Sequence, residues 1–353
     1  MPRRSRPREP MLYDPRFEHD ACGIGFVADA GGISRDRVLP LALAGLSALG
    51  HRGAFAADGE SSDGAGMSLP LETAFRARIG ADASAGAGDR PAVLQLFMPA
   101  ARAAGARARL LVERALATEG LEVARWRRVP ADPSALGREA AAGRPGFDQA
   151  IVAATSSGPS GPAEGSGSEH SRTVAKATGF EVRLLRARRA IETAAREQGV
   201  ADLAVVSASA RTIVYKGLVA GSRLSALFPD LEPGLDGLGT SYALFHQRYA
   251  TNTRPVWRLA QPFRLLAHNG EINTVRGNRE QVRGRASDPD PRGLAAGLLA
   301  AGPLLAPDGS DSLSLDEAIE LLVASGWDLP VALLAAIPEA VALRRSPHAP
   351  VTA

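Results

Sequence analysis

Apolar positions along this chain switch repeatedly between a period of two and a helical period. From Ala21 onward the run Cys-Gly-Ile-Gly-Phe-Val-Ala predicts a strand. Ile24 and Phe26 share one face of it, and Gly23 and Gly25 leave room beside the cysteine. Residues 38–49 predict a buried helix with an early proline. His51-Arg52-Gly53-Ala54 follows, and residues 58–66 read as a loop rich in glycine and aspartate. Strands are predicted at 91–97 and 149–155. A helix is predicted at 100–118, with Leu110, Leu111, Val112 and Leu116 able to pack. Residues 156–168 are Ser, Gly and Pro-rich, a composition that reads as a flexible insertion, extending to about residue 170. A charged amphipathic helix is predicted at 180–198, then β-rich runs at 203–208, 212–219, 241–246 and 263–267. Helices are predicted at 311–324 and 330–336.

This order lacks a regular strand–helix–strand alternation and any internal repeat. It favours an α+β fold with antiparallel sheets over a doubly wound one. Strand-like runs resume after the insertion without a new core pattern, so one domain is expected.

Charge narrows the partner classes. Of 353 residues, 41 are Lys or Arg and 38 are Asp or Glu, a formal net charge of +3. Arg3, Arg4, Arg6, Arg8 and Glu9 account for that excess, so the chain beyond Pro10 is formally neutral. Nucleic-acid binding needs clustered positive charge, and no such cluster is present. No apolar run approaches the ~18 residues of a membrane span. The residues after the arginine arm are too charged for the apolar core of a signal peptide. The expected location is the cytoplasm, with neither nucleic acid nor membrane as partner.

A single cysteine, Cys22, excludes intramolecular disulfides and all-cysteine metal sites built by this chain alone. Taken alone, a lone cysteine reads as a small buried hydrophobe. Four segments change that picture: His19-Asp20-Ala21-Cys22-Gly23, His246-Gln-Arg248-Tyr-Ala-Thr251-Asn252-Thr253, His268-Asn269-Gly270-Glu271-Ile-Asn273, and Gly309-Ser310-Asp311-Ser312. In this order they resemble the class II glutamine amidotransferase domain of glutamate synthase, of the N-terminal-nucleophile hydrolase superfamily. His51 to Ala54, Asp63 to Gly66, Val214 to Gly217 and Asn273 to Asn278 extend the resemblance over roughly residues 12–340. The Cys-Gly pair would not carry it; the His-Asn-Gly-Glu-Ile-Asn run followed by Arg-Gly-Asn does.

Amide hydrolysis needs a nucleophile, a base, an oxyanion site and ligands for the zwitterionic end of glutamine. A thiol with pKa ~8.5 is only slightly ionised at neutral pH, whereas an α-amine with pKa ~7.7–8.0 on the same residue can act as its base. The resemblance implies that arrangement, with residues 1–21 a disordered arm and propeptide removed to leave Cys22 first. It also implies that the Asn269 side chain and the Gly270 N–H form the oxyanion hole. Asn-Gly alone would read as a tight hairpin turn. Arg248 resembles the clamp on the α-carboxylate, and Asp311 the acceptor of the α-ammonium group. Asp311 also suits a simple helix start, with Ser310 or Asp311 as N-cap, and Arg52 a solvated surface. The resemblance sets Arg52 beside the nucleophile and adds contacts from Thr251. His51, His246 and His268 lack metal-ligand spacing and read as structural.

The implied fold is a four-layer αββα sandwich of two antiparallel sheets, spanning residues 22–340. After residue 340 the chain departs from the family pattern, and residues 341–353 read as a non-structural tail. The last strands of the domain are expected to be missing, leaving a sheet edge to be completed by another chain or to destabilise the protein. The family's FMN and iron–sulfur cluster belong to regions not present here, so no cofactor is expected in this chain. The expected partners are L-glutamine and a separate synthase polypeptide. A free-standing class II amidotransferase or amide hydrolase, and an inactive fragment or binding subunit, are the alternatives.

Overall fold

The computed structural model of the chain describes residues 23–81, 90–155, 169–234, 238–247, 255–269, 272–286, 298 and 302–337. Strand β1 (Ile24–Ala28) leads to helix α1 (Val38–Ala48), which runs into a helical turn at Leu49–Arg52. Then come β2 (Ala65–Pro70), α2 (Thr73–Ile79), β3 (Ala92–Met98), α3 (Arg102–Thr118), β4 (Leu121–Arg128), α4 (Arg138–Ala142) and β5 (Gly146–Ala154). Next are α5 (Glu169–Glu197), β6 (Ala204–Ser209), β7 (Thr212–Gly217), α6 (Leu224–Leu227) and β8 (Tyr242–Gln247). Helices α7 (Val275–Ala286), α8 (Asp311–Ala324) and α9 (Leu329–Ala336) follow. The strands form two antiparallel four-stranded sheets, ordered β1-β8-β2-β7 and β4-β5-β3-β6.

Strand β3 shows how the layers stack. Its sequence Ala-Val-Leu-Gln-Leu-Phe-Met is buried throughout because both of its faces are covered. Val93 and Phe97 join Ile151, Met67 and Tyr215 in the core between the sheets. Leu94 and Leu96 pack instead with Leu111, Val112 and Leu116 of α3 and with Leu184 and Ile191 of α5. Each such side chain contributes roughly 1.5–3 kcal/mol on burial, so two apolar faces favour this stacking over a single solvated sheet. The result is the α+β sandwich of the N-terminal-nucleophile hydrolase type. Across the core, Tyr215 Oη donates to Asp230 at 2.8 Å and accepts from Gln149 Nε2 at 2.8 Å. Arg127 binds both oxygens of Asp230.

Several expectations need correction. Residues 263–267 are apolar except for Arg264 but form no strand, because other groups occupy the backbone amides at Leu265 and Leu266. Residue 65, expected within a loop, begins β2. Helix α5 starts at Glu169 rather than 180. Strand β4, Leu-Glu-Val-Ala-Arg-Trp-Arg-Arg, is an edge strand whose charges hide its periodicity, and α7 is too polar to show an apolar stripe. In α3, Leu111, Val112 and Leu116 are buried but Leu110 points to solvent, and Phe26 on edge strand β1 is 74% exposed. The arm and propeptide, the insertion through residue 168 and the tail lie outside the described residues.

Candidate active site

Antiparallel pairing of β1 with β8 sets Ile24 opposite His246. One residue further, the Gln247 N–H donates to the Gly23 carbonyl at 2.7 Å. Glycine is required at 23: a Cβ there would lie 2.3 Å from the Gln247 carbonyl oxygen. The Gly23 N–H in turn donates to Asn269 Oδ1 at 3.0 Å. The residue bonded to Cys22 therefore touches Asn269, although the two are separated by most of the chain. Because Oδ1 accepts this bond, Nδ2 is the donor end of the Asn269 amide directed elsewhere.

Side chains rather than a β-ladder hold the segment bearing Asn269. Asp316 Oδ1, on α8, accepts from the N–H groups of Leu265 at 2.9 Å and Leu266 at 3.3 Å. The Gln261 amide pairs with the His268 peptide, Nε2 donating to its carbonyl at 2.8 Å and Oε1 accepting from its N–H at 2.9 Å. His246 Nε2 donates to the same carbonyl at 3.1 Å. Beyond the Asn-Gly pair, Asp311 Oδ2 accepts from the Ile272 N–H at 3.2 Å. Helix α8 thus meets the segment on both sides of Asn269.

Asp311 is the first residue of α8, not its cap. Ser310 caps it, accepting from the Leu313 N–H at 3.1 Å. Burial pushes the Asp311 carboxyl up. The amides of Ile272 and Ser312 and the nearby His268 outweigh that and hold it below the ordinary carboxylate range. A carboxylate at a helix N-terminus is also favoured by the macrodipole. Burial depresses the His268 imidazole below the ordinary histidine range, against the opposing pull of Asp311 and Asp316.

A buried ionic cluster anchors α8. Arg188 and Arg189 of α5 and Arg264 face Glu192, Asp316, Glu317 and Glu320. Arg264 meets Asp316 at 2.8 Å, and Arg189 meets Glu317 at 2.9 Å. Beside them, burial drives the Lys216 ammonium down to about 7, with Arg264 adding to the effect. Lys216, Trp257, Arg264 and Glu317 line a cavity of about 700 Å³ to which Gly23, Asn269 and Asp311 contribute nothing.

Of the residues singled out from sequence, Asn269, Asp311 and Arg52 are described. Asn269 meets Gly23, and Asp311 is tied to the same segment. Arg52 is half-buried at the end of the turn after α1, next to Gly53, where a Cβ would come within 2.5 Å of Gln247 Nε2. Cys22, Arg248, Thr251 and Gly270 lie outside the described residues. The described residues before the Asn-Gly pair are irregular, so no strand enters a hairpin there. His51 Nδ1 donates to the Ala48 carbonyl at 3.0 Å. Gln247, Gln261 and Asp316 carried no sequence signal of a role; each works on backbone groups that only folding brings near. Among the described residues no three His, Cys, Asp or Glu side chains cluster as a metal site, and no helix is long and apolar enough to cross a membrane.

Residues 22–350 match the family model of the class-II glutamine amidotransferases. The chain is 35% identical over 331 residues to a glutamate synthase (NADPH) large chain of Azospirillum brasilense, covering 93% of this chain and 21% of that protein. It is 37% identical over 337 residues to ferredoxin-dependent glutamate synthase 2 of Synechocystis, covering 94% and 20%. A Bacillus subtilis glutamate synthase (NADPH) large chain is 32% identical over 333 residues, covering 94% and 21%. The chain spans about a fifth of the length of these curated relatives.

Proposed function

This chain belongs to the class-II glutamine amidotransferases, and from that premise we propose that it hydrolyses L-glutamine through a thioester on Cys22, as the glutamine-hydrolysing part of a glutamate synthase. The observation that carries the reading is the 3.0 Å bond from the Gly23 N–H to Asn269 Oδ1. It links the residue bonded to the nucleophile with the side chain that stabilises the oxyanion.

In the proposed reaction the Cys22 thiol first attacks the Ala21 carbonyl carbon, the Ala21–Cys22 C–N bond breaks as the freed amine takes the thiol proton, and water cleaves the resulting thioester to release residues 1–21. The new α-amine takes the thiol proton, and the thiolate attacks the glutamine amide carbon. The carbonyl electron pair moves onto oxygen, where Asn269 Nδ2 and the Gly270 N–H receive it; each such donor is worth ~10²–10³ in rate. When the pair returns, the C–N bond breaks and the α-ammonium proton leaves with ammonia. Water, deprotonated by the α-amine, then splits the thioester to glutamate and restores the thiol. Arg248 clamps the substrate carboxylate as a guanidinium fork. Asp311, held anionic by its amide donors, receives the ammonium group. Arg52 and Thr251 complete the pocket.

Ammonia then passes to a synthase region outside these residues, to which we assign the flavin and the iron–sulfur cluster. Cluster ligation takes about four thiolates, and this chain has one cysteine; no step above runs through either group. We assign the reaction to the cytoplasm, where a lone thiol stays reduced. The test is ammonia release from glutamine by the purified chain, with Cys22→Ala as control. A chloroketone analogue of glutamine should label a peptide beginning at Cys22. Turnover that survives in Cys22→Ala refutes the reading, and an intact N-terminus refutes the α-amine as base. Co-purification with a flavoprotein tests the synthase assignment.

A further inference from the structure

We propose that Gln261 is a positioning residue that holds Asn269 at the oxyanion site, a role that rests on the functional reading above. Gln261 is fully buried. Its side chain grips the peptide of His268 as a neighbouring strand would, with one donated bond of 2.8 Å and one accepted bond of 2.9 Å. Both bonds close on the residue covalently attached to Asn269. Gln261 is itself backed by the sheet. Its backbone carbonyl lies over Gly66 of β2, where a Cβ would come within 2.6 Å of that oxygen. His246, whose Nε2 shares the His268 carbonyl at 3.1 Å, stands on β8 next to Gln247, the residue that binds Gly23. The two sides of the oxyanion site are thus referred to one rigid sheet, through β8 to Gly23 and through Gln261 to Asn269.

The residue type follows from this geometry. A primary amide carries a donor and an acceptor on one planar group, which is what a peptide N–H and C=O flank require. Glutamate has the reach but presents an oxygen to the His268 carbonyl, and leucine has the volume with neither function. Without the amide, the His268 N–H loses its acceptor and the His268 carbonyl keeps only His246, between the ends held by Asp316 at residues 265–266 and Asp311 at residue 272. Gln261 touches the segment's backbone and not the substrate, so its removal should displace the oxyanion donor while leaving the ligands of the substrate's zwitterionic end in place.

The experiment compares the 353-residue chain with Gln261→Leu and Gln261→Glu. Glutamine turnover is measured, and competent sites are counted by the end-point of chloroketone labelling. A displacement of about 1 Å at such a site costs on the order of 10²-fold. We expect kcat per labelled site to fall at least about tenfold in both variants, with KM within about threefold of the parent. A purely structural role would lower the number of labelled sites and leave turnover per labelled site unchanged. Turnover per labelled site within about threefold of the parent, or a loss carried by KM, overturns the inference. A parent chain that neither labels nor turns over overturns the functional reading and this role with it.

Discussion

Replacing Asn269 by aspartate separates the two ends of its side chain. The shapes match, and aspartate keeps an oxygen for the Gly23 N–H now bound at 3.0 Å, so β1 stays joined to the segment. The other end changes from two N–H donors to an oxygen that is anionic at neutral pH. Loss of one oxyanion donor costs ~2.7–4 kcal/mol. A fixed negative charge about 4 Å from the developing oxyanion adds ~4 kcal/mol of repulsion at an effective dielectric of about 20. Even partial realisation of the second effect gives a fall in kcat of at least about 10³-fold. Asn269→Ala removes both ends. It loses the donor, about 10²–10³-fold in kcat, and also the Gly23 contact, ~0.5–1.5 kcal/mol of folding stability. The isosteric variant should therefore be the slower enzyme and the more stable protein. Ammonia release per chloroketone-labelled site, with urea unfolding of the same samples, reads both quantities. An aspartate variant that keeps a tenth of parental turnover, or that is faster than the alanine variant, refutes the assignment of Nδ2 as the oxyanion donor.

Other perturbations test the surroundings of the site. Lys216 titrates near 7 in the folded protein and near ~10.4 when unfolded, so between these values the unfolded chain binds the extra proton and stability rises with pH by up to ~1.4 kcal/mol per unit. Lys216→Met should lack that rise in urea unfolding between about pH 7 and 10, and parallel curves would contradict it. Asp316→Asn removes the 2.8 Å partner of buried Arg264, which keeps Glu320 at 3.4 Å, and should cost ~1.5–3 kcal/mol of stability. Glu280→Gln, in the exposed pair with Arg283, should cost under about 0.5 kcal/mol by the same assay. Gly23→Ala drives a Cβ against the Gln247 carbonyl, separates β1 from β8 at the site, and should lower kcat about 10²-fold; parental turnover would show that this approach is dispensable.

Much of the fold is legible because local pattern and burial agree. The apolar run of β3 needs two covered faces and has them, and the apolar face of α3 is buried where its periodicity puts it. Strand β4 is not legible, because Arg127 turns inward and is satisfied by Gln149 and Asp230, both remote in the chain. Residues 263–267 mislead in the opposite sense: strand-like side chains on a backbone whose amides at Leu265 and Leu266 go to Asp316 and whose Phe263 N–H turns back to the Leu266 carbonyl.

The candidate site divides along the same line. The family resemblance carried by the sequence motifs pointed to a lone thiol, an Asn-Gly pair, an arginine and an aspartate as the proposed chemical set, because reactivity belongs to residue type. Tertiary structure decided that Gly23 meets Asn269, that Ser310 rather than Asp311 caps α8, and that Gln261 and Asp316 hold the segment between them. Those outcomes depend on hydrogen bonds between groups far apart in the chain, whose geometry exists only once two sheets and α8 have packed against one another.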